Sequence, residues 1–390
     1  MQLALVFKLM AEKQASDAFF SSSCPIHIKI NGTMMAVNAP PLDSEAIRKI
    51  AYEIMTESQI RDFESNLEMN FARAMPGLGN FRINLFRQRG QHAMVIRYVK
   101  ENIPSIDDLG VPAFLKDLIM EKRGFVLIVG ATGSGKSSTL ASMLDYRNGN
   151  KSGHILTIED PVEFVFKHKK CIVNQREVGM DTKSFSNGLI NAMREAPDVL
   201  MIGEIREKET LQHALIFAQT GHLCLSTLHA NTTYHALNRI VNFFSHESRA
   251  SLLLDLSISL RCVLSQRLVK GMDGKLLPAV EVLLNTPRIA ELIQKGQFDE
   301  IKEAMDQSLY PGSQSFEQAL FQHFRAGKIS KDEALHNCDS PTNMLWMINN
   351  ASQVKNQPIT NLSDIMLSEP PKKESEDFTL SMEMLKKLKS

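Results

Sequence analysis

The segment Gly124–Leu140, GFVLIVGATGSGKSSTL, decides the fold of this chain. Its first part, Phe125–Val129, is a run of apolar, mostly β-branched residues that predicts a buried strand. The pattern G-x-x-x-x-G-K-[ST] follows at residues 130–137 and leads into a helix-favouring stretch. A loop between such a strand and helix can surround phosphate oxygens with backbone N–H groups. The segment therefore predicts a nucleoside triphosphate site on an α/β sheet.

Each residue type in this loop matches a requirement of phosphate binding. Gly133 and Gly135 can adopt the positive φ that a loop of inward-facing N–H groups needs. The Lys136 ammonium can reach the β- and γ-phosphates, and the Ser137 hydroxyl can bind Mg²⁺. The alternative, a Gly/Ser-rich turn that contains a lysine by chance, does not account for the flanking strand and helix. We expect ATP and Mg²⁺ to bind along the loop, at Gly130, Ala131, Thr132, Gly133, Ser134, Gly135, Lys136, Ser137 and Ser138.

Composition narrows the class of protein. Lys plus Arg and Asp plus Glu both number 44 in 390 residues, and the resulting zero net charge disfavours a polyanion as the main partner. The five cysteines are scattered and never spaced C-x-x-C, which indicates a reducing compartment and no metal site of that type. No apolar run approaches the roughly 20 residues of a membrane span. We expect a cytoplasmic protein of two domains without a transmembrane segment.

The first 100 residues predict a small α+β domain, because helical and alternating patterns are mixed along them. The predicted elements are a helix ending near Lys13, a strand over Ile26–Ile30 with a hairpin turn at Asn31-Gly32, a helical stretch over Ser44–Asn66, and paired strands near 81–86 and 94–98. The last two strands are rich in arginine. Taken alone, these arginines are best explained as a solvated sheet face.

Four further parts follow along the chain. Residues 101–113 contain two prolines and a glycine and predict a linker. From 114 to 287 apolar strands alternate with helices, as in a parallel sheet, and three strands end in polar residues, where ligands bind in such folds. Residues 288–350 have a helical pattern. Residues 368–376 are charged and of low complexity, and we expect a flexible tail over residues 351–390 in which Phe378, Met382 and Leu385 are spaced like one face of a short helix.

An ATPase of this kind also needs carboxylates, one for Mg²⁺ or its waters and one that orients the attacking water. The apolar strand before Glu204 ends in glycine where aspartate is usual, so Mg²⁺ would be held by Ser137, Glu204 and waters, or by carboxylates of another strand such as Glu159, Asp160 or Glu163. For Glu163 and Glu204 a functional role is favoured over a structural one. Glu159 and Asp160 are further carboxylates in the same segment, and a turn-capping role is equally open for Asp160.

Two histidines, His222 and His229, bracket the apolar strand Leu223–Thr227. They could sense the γ-phosphate or form bonds across an interface. A lone histidine at such a position is more often structural. Because two of them flank one strand, the functional and structural interpretations are equally open.

With these residues assembled, the chain resembles the secretion-superfamily hexameric ATPases, specifically the type IV pilus retraction ATPases of the PilT/PilU kind. The likeness covers about residues 1–350. The stretches that carry it are GNFRINLFRQ (79–88), GATGSGKSSTL (130–140), TIEDPVEF (157–164), PDVLMIGEIR (197–206), TGHLCLSTLHAN (220–231), SQRLV (265–269) and AGKISKDEAL (326–335).

The resemblance implies a PAS-like N-terminal domain, a RecA-like P-loop ATPase domain with a helical C-terminal region, and a homo-hexamer. It implies that Glu163 polarises the attacking water and that Glu204 binds Mg²⁺. Arg82 and Arg97 are implied to contact the phosphates, and His222 and His229 to couple the site to its neighbours. It also implies a PilT-type paralogue and an inner-membrane pilus platform protein as partners. Peripheral association with the inner membrane would follow from the second partner.

Three departures from the best-known retraction motors favour the accessory, PilU-type branch of the family. Residues 286–291 are TPRIAE, in which the usual residue order after the proline is altered, and position 196 is alanine where aspartate is usual. The tail beyond residue 350 is also longer. The leading hypothesis is therefore an ATP-hydrolysing motor that drives pilus retraction and twitching motility with a paralogue.

Two other functions remain open at this stage. A regulatory subunit would bind nucleotide without independent motor activity, and the motifs alone do not separate it from the motor. A RecA-like nucleic-acid translocase would need a basic pore surface with aromatic side chains, and the neutral charge and single tryptophan give that little support. We expect no nucleic-acid partner.

Overall fold

The computed structural model of the protein describes residues 2–30, 32–99, 102–306 and 312–351. Within these ranges the strands form a six-stranded sheet followed by a seven-stranded sheet. Two predictions lie outside the described residues: the Asn31 half of the hairpin turn and the flexible tail from residue 352 onwards, with its helical face of Phe378, Met382 and Leu385.

The N-terminal domain is an antiparallel sheet covered by three helices. Its elements are α1 (Gln2–Lys13), β1 (Asp17–Phe20), β2 (His27–Ile30), β3 (Thr33–Ala36), α2 (Ser44–Tyr52), α3 (Glu57–Asn66), β4 (Glu68–Met75), β5 (Gly79–Gln88) and β6 (Gln91–Val99). The strands follow the order β3-β2-β1-β6-β5-β4. Apolar side chains of the helices and the sheet form one core, in which Phe7, Phe63 and Phe81 are buried.

The helical stretch predicted over Ser44–Asn66 is in fact two helices. Thr56 ends the connection between them with a capping box, since its hydroxyl accepts from the Gln59 N–H and the Gln59 side chain accepts from the Thr56 N–H. Strand β1 is absent from the prediction because four residues are too few to show a clear alternation. It lies between β2 and β6 and joins the two halves of the sheet.

The second domain is built on a mostly parallel sheet. After the short helices α4 (Ile106–Leu109) and α5 (Leu115–Leu118), its elements are β7 (Gly124–Val129), α6 (Lys136–Asn150), β8 (Gly153–Glu159), β9 (Cys171–Glu177), α7 (Phe185–Ala192), β10 (Val199–Ile202), α8 (Lys208–Gln219), β11 (Leu223–Leu228), α9 (Thr233–Asn242), α10 (His246–Ser259), β12 (Leu260–Lys270) and β13 (Leu276–Leu284). The strand order is β13-β12-β7-β11-β10-β8-β9, and only the β12–β13 pair is antiparallel. Apolar clusters cover both faces of this sheet, as a parallel sheet requires.

The predicted linker at 101–113 is partly docked on the second domain. Ile106 and Val111 are buried in the core beside α6. The Ser142 hydroxyl of α6 donates a hydrogen bond of 2.6 Å to the Pro104 carbonyl. The described part of this segment, from residue 102, therefore has less freedom than its prolines and glycine indicate.

Helices continue the chain beyond the sheet. They are α11 (Pro287–Lys295), α12 (Ile301–Asp306), α13 (Phe316–Arg325), α14 (Lys331–Asn337) and α15 (Pro341–Asn349), with a 3₁₀ turn at Phe298–Glu300. Helices α13 to α15 pack on β12 and β13 around a core of their own. Arg267 of β12 lies 3.8 Å from the centre of the Phe316 ring and donates to Asp339, which joins this helical region to the sheet.

Two further properties concern the chain as a whole. All five cysteines have free thiols, and Cys171, Cys224 and Cys262 are buried. None of the helices in the described ranges combines the length and the apolar character that a bilayer crossing requires.

Candidate nucleotide site

The loop between β7 and α6 has the backbone geometry of a phosphate-binding loop. The φ angles of Gly130, Gly133 and Gly135 are 151°, 81° and 89°. A Cβ atom on Gly135 would lie 2.7 Å from Nε2 of Gln266, so a side chain there would meet both backbone strain and a close contact. Helix α6 begins directly after Gly135, and its free N–H groups therefore face the loop.

Lys136 lies inside the loop. Its ammonium donates hydrogen bonds of 2.9 Å to the carbonyl oxygens of Gly130 and Ala131. Burial lowers the pKa of Lys136, while the charges of Glu204 and Glu163 oppose that shift. The ammonium and the two carboxylates thus belong to one electrostatic site.

Strand β12 supports the loop from a distant part of the chain. Gln266 is buried, and its Oε1 accepts a hydrogen bond of 2.8 Å from the Thr139 hydroxyl of α6 across 127 residues of sequence. Sequence reasoning did not assign Gln266 a role, although it belongs to the SQRLV stretch (265–269). No pattern in the sequence marks it, because β12 has the mixed sequence LRCVLSQRLVK, in which several other residues are polar.

A cavity of about 250 Å³ opens between the loop and the carboxyl ends of β8, β10 and β11. The predicted site residues that line it are Thr132, Gly133, Lys136, Ser137, Glu163, Glu204 and His229, together with Glu159 and Asp160. The other predicted loop residues form the loop and the first turn of α6 without lining the cavity: Gly130, Ala131, Ser134, Gly135 and Ser138. The structure therefore brings the loop, the carboxylates and one histidine to a single place.

The two glutamates of the acidic stretch differ in their surroundings. Glu159 is buried, and burial raises its pKa to about 7, although the Thr157 hydroxyl and the Gln175 amide donate to its Oε1 at 2.6 and 3.2 Å. Glu163 is exposed at the cavity. Because Glu159 is buried and its Oε1 already accepts two hydrogen bonds, Glu163 is the one of these two glutamates that is open to a reactant.

Arg206, which has no role in the sequence interpretation, links the carboxylates of two strand ends. Its Nε donates a hydrogen bond of 2.8 Å to Oε2 of Glu204, and its Nη1 lies 3.6 Å from Oδ2 of Asp160. The other oxygen of Glu204, Oε1, lies 3.3 Å from Nε2 of His229. Glu204 is therefore placed between an arginine and a histidine at the edge of the cavity.

The acidic loop, which we define as residues 160–166, is held by side chains of β9. The Gln175 side chain accepts from the Phe166 N–H at 2.9 Å and donates to the Phe164 carbonyl at 2.8 Å. Oε2 of Glu177 accepts from the Val162 N–H at 3.0 Å. These contacts lie on both sides of Glu163 in the sequence, and sequence reasoning missed them because it did not predict β9.

The structure does not bring Arg82 and Arg97 into the cavity. The two residues are opposite each other on β5 and β6. Nη2 of Arg82 lies 3.1 Å from Oε1 of Glu177, next to the acidic loop. Arg97 instead donates a hydrogen bond of 2.9 Å to Asp17 on its own sheet. Arg82 thus reaches the second domain, whereas Arg97 does not.

His222 is also not brought to the cavity. It precedes the first residue of β11 and His229 follows the last, so the strand, at about 3.3 Å per residue, separates them by roughly 20 Å. His222 instead contacts the Thr220 hydroxyl at 3.1 Å and the ring of Phe217. The expectation that both histidines lie beside one site is wrong, because the two ends of a strand lie at opposite ends of the sheet.

Known proteins resemble this chain along most of its length. The model of the type II/IV secretion system protein family matches residues 3–313. The type IV pilus ATPase PilU of Pseudomonas aeruginosa is 47% identical over 354 residues, which cover 90% of this chain and 93% of that protein. The pilus retraction ATPase PilT of the same organism is 38% identical, over 88% of this chain and 100% of its own length.

Solved structures agree with these sequence matches. A crystal structure of the pilus retraction motor PilT with bound ADP aligns with a TM-score of 0.82 and 38% identity, and covers 88% of this chain and 98% of that chain. The ATPase DotB of Legionella pneumophila aligns with a TM-score of 0.72 and 25% identity, and covers 85% and 94%. The predicted fold class and the resemblance to pilus retraction ATPases are confirmed. The chain belongs to the type II/IV secretion system protein family and, within it, to the type IV pilus ATPases of the PilT and PilU kind.

Proposed function

We propose that this ATPase is an accessory, PilU-type motor that drives type IV pilus retraction together with a PilT-type paralogue. The observation that carries the proposal is the convergence at one cavity of the phosphate loop, Lys136, Ser137, Glu163 and Glu204. The identity to PilU, which is higher than that to PilT, supports the accessory type.

The reaction is the transfer of the γ-phosphoryl group of ATP to water. Lys136 balances the charge of the β- and γ-phosphates, and the N–H groups at the start of α6 bind their oxygens. Glu163 polarises the attacking water: it is exposed at the cavity, as is Asp160, but Asp160 lies 3.6 Å from the Arg206 guanidinium. The hydrogen bond from Arg206 holds Glu204 in position. Nε2 of His229 lies 3.3 Å from Oε1 of Glu204, so a movement of Glu204 would be transmitted to His229.

Mg²⁺ fits the donor set at this site. No group of three or more His, Cys, Asp or Glu side chains in the described ranges could hold a metal ion alone. Mg²⁺ ordinarily takes one or two protein oxygens and completes its octahedron with water and substrate phosphates. The Ser137 hydroxyl and the Glu204 carboxylate match that requirement. When bound, the ion neutralises the phosphate oxygens.

The motor would act as a ring of six chains at the cytoplasmic face of the inner membrane, bound to the platform protein of the pilus. Closure of the two domains of one chain would bring Arg82 and Arg97 towards the nucleotide. Because the two arginines face each other on adjacent strands, a movement of one carries the other with it. His222 would act at a contact between subunits, since it lies at the opposite edge of the sheet from His229.

Glu163→Gln tests the assignment of the site. The amide cannot polarise water, so we expect kcat to fall on the order of 10²-fold while the affinity for ATP is retained. Lys136→Ala, measured beside it, should lose hydrolysis through a different step, because it removes the cation that contacts the phosphates. Hydrolysis by Glu163→Gln at a rate near wild type would make Glu163 structural and transfer its role to Glu204.

Retraction of individual pili tests the accessory role. Cells that lack this gene, cells that lack the paralogue, and cells that lack both should be compared by light microscopy of labelled pili. We expect retraction in the first strain to persist with reduced force and to be lost in the second. A second strain that still retracts pili would show an independent motor and contradict the accessory assignment.

A further inference from the structure

The position of Glu163 depends on the main chain around it, since its own side chain is exposed. The residue before it, Val162, has its N–H bound by Oε2 of Glu177 at 3.0 Å. The residue after it, Phe164, has its carbonyl bound by the Gln175 amide at 2.8 Å. The backbone on both sides of Glu163 is therefore fixed by two side chains of β9.

The register of the sheet explains why β9 can do this. In the parallel β8–β9 pair, Glu159 is opposite Glu177 and Thr157 is opposite Gln175. Residues two apart on a strand project from the same face. Gln175 and Glu177 therefore face the acidic loop together, directly beyond the strand from which that loop emerges.

Glu177 differs from Gln175 in having a second, charged contact. Its Oε1 forms an ion pair of 3.1 Å with Nη2 of Arg82, a residue of the N-terminal domain. Both side chains are largely shielded from water, with 20% of the Arg82 side chain and 10% of the Glu177 side chain exposed. In such a position the pair interacts more strongly than a surface ion pair. One carboxylate thus contacts the loop and the other domain at the same time.

We propose that Glu177 is a positioning residue for ATP hydrolysis. It holds Glu163 through the Val162 amide, and its ion pair with Arg82 makes that interaction depend on the position of the N-terminal domain. The proposal rests on the proposed function in one respect, because it takes Glu163 as the carboxylate that polarises water. An ionised acceptor binds an N–H group more strongly than a neutral one does. The Glu177 carboxylate therefore fixes the loop, and its ion pair with Arg82 fixes the position of that carboxylate.

The same strand offers a matched control. Arg176, the neighbour of Glu177, points to the opposite face and forms an ion pair of 2.6 Å with Glu195. The side chains of this pair are 22% and 32% exposed. Glu195→Gln therefore removes a partly shielded ion pair from β9 without touching the acidic loop.

The experiment measures kcat and KM for ATP in the full chain and its variants. Glu177→Ala removes both contacts, and we expect kcat to fall about tenfold with KM changed less than about twofold, the effect of one lost charge-assisted hydrogen bond. Glu177→Gln keeps an acceptor for the Val162 N–H but loses the ion pair, so its kcat should fall about threefold. Glu195→Gln should keep the kcat of the wild type.

A second readout needs no nucleotide. Hydrogen–deuterium exchange in a peptide that covers residues 160–166 should be faster in Glu177→Ala than in the wild type. It should be unchanged in Glu195→Gln. Equal exchange in Glu177→Ala and the wild type would overturn the proposal, because the loop would then not depend on Glu177.

The double variant Glu163→Gln/Glu177→Ala separates a positioning role from a general structural one. If Glu177 acts through Glu163, removing it from a chain that already lacks the Glu163 carboxylate costs nothing more in kcat. A further tenfold loss in the double variant would overturn the proposal. Failure of the proposed function looks different, since the single variant Glu163→Gln would then hydrolyse ATP at the rate of the wild type.

Discussion

The phosphate loop and the acidic loop face the same cavity, but different forces hold them in place. The phosphate loop is shaped by its own backbone, through glycines with positive φ and the start of α6. The acidic loop is held by the side chains of Gln175 and Glu177, which follow its contact residues by 9 to 15 positions. The conformation of the phosphate loop is therefore set mainly by its own backbone, with Gln266 of β12 packed against it. The conformation of the acidic loop depends on side-chain hydrogen bonds from a neighbouring strand.

This difference predicts how each loop fails. A substitution in the phosphate loop acts through strain and steric overlap, which change stability and nucleotide binding together. A substitution behind the acidic loop removes hydrogen bonds from a segment that remains folded, which changes catalysis more than stability. Stability measurements and kinetics can thus be used on the same variants to distinguish the two loops.

Gly135→Ala should have the largest effect, and Gly133→Ala is its matched control. The two glycines have similar φ angles of 89° and 81°, but a Cβ atom on Gly135 would lie 2.7 Å from Nε2 of Gln266, and one on Gly133 meets nothing within 4 Å. We expect unfolding free energy to fall by about 3 kcal/mol in Gly135→Ala and by about 1 kcal/mol in Gly133→Ala. Urea unfolding followed by circular dichroism measures both, and equal losses would show that Gln266 gives way freely.

Gln175→Ala should act mainly on catalysis. It removes the bonds to the Phe164 carbonyl and the Phe166 N–H, so we expect kcat to fall about tenfold with little change in KM. Asn174→Ala is the control, because Asn174 is on the opposite face of β9 and contacts His154 instead. A Gln175→Ala protein with normal kcat would mean that the acidic loop keeps its conformation without the Gln175 side chain.

Glu281→Gln tests a buried carboxylate that also binds a main-chain N–H group but does not line the cavity. Unlike Gln175 and Glu177, it should affect stability and leave catalysis unchanged. Glu281 accepts from the Thr233 N–H at 2.7 Å, and burial raises its pKa to about 7. The folded protein therefore binds this proton more tightly than the unfolded chain, and the carboxyl makes stability fall as pH rises from about 4.5 to about 7.

The glutamine does not titrate, so the stability of Glu281→Gln relative to the wild type should increase by about 2.5 kcal/mol between pH 5 and pH 8. Urea unfolding at the two pH values measures this difference. A constant difference would show that the Glu281 carboxyl titrates as in the unfolded chain. ATP hydrolysis at pH 8 should be unaffected, since Glu281 is not at the cavity.

The same contrast explains what the sequence could predict. Buried parallel strands are continuous apolar runs, so two of them are visible in the sequence. The predicted strands Phe125–Val129 and Val199–Ile202 correspond to β7 (Gly124–Val129) and β10 (Val199–Ile202). Strand β9, with the sequence CIVNQRE, lies at the edge of the sheet and has mostly polar residues in its second half, so no such run marks it. The residues that β9 contributes could not be found without the fold.

Charged residues were harder to place than apolar ones. The sequence indicates that Arg82 and Arg97 share a sheet face, and they do face each other. Their partners, Glu177 in the other domain and Asp17 on a strand too short to predict, depend on contacts distant in sequence. A motif shows which charges are present, but the tertiary structure decides which pairs form.

The shared carboxylate of Glu177 also has a thermodynamic consequence. Its two oxygens contact the acidic loop and the N-terminal domain, so the order of the loop and the docking of the domain are linked equilibria. Linkage is reciprocal: whatever free energy docking contributes to an ordered loop, an ordered loop returns to docking. A ligand that orders the loop therefore strengthens docking of the N-terminal domain by this coupling free energy. For the same reason, a mechanical load that pulls the two domains apart weakens the binding of that ligand.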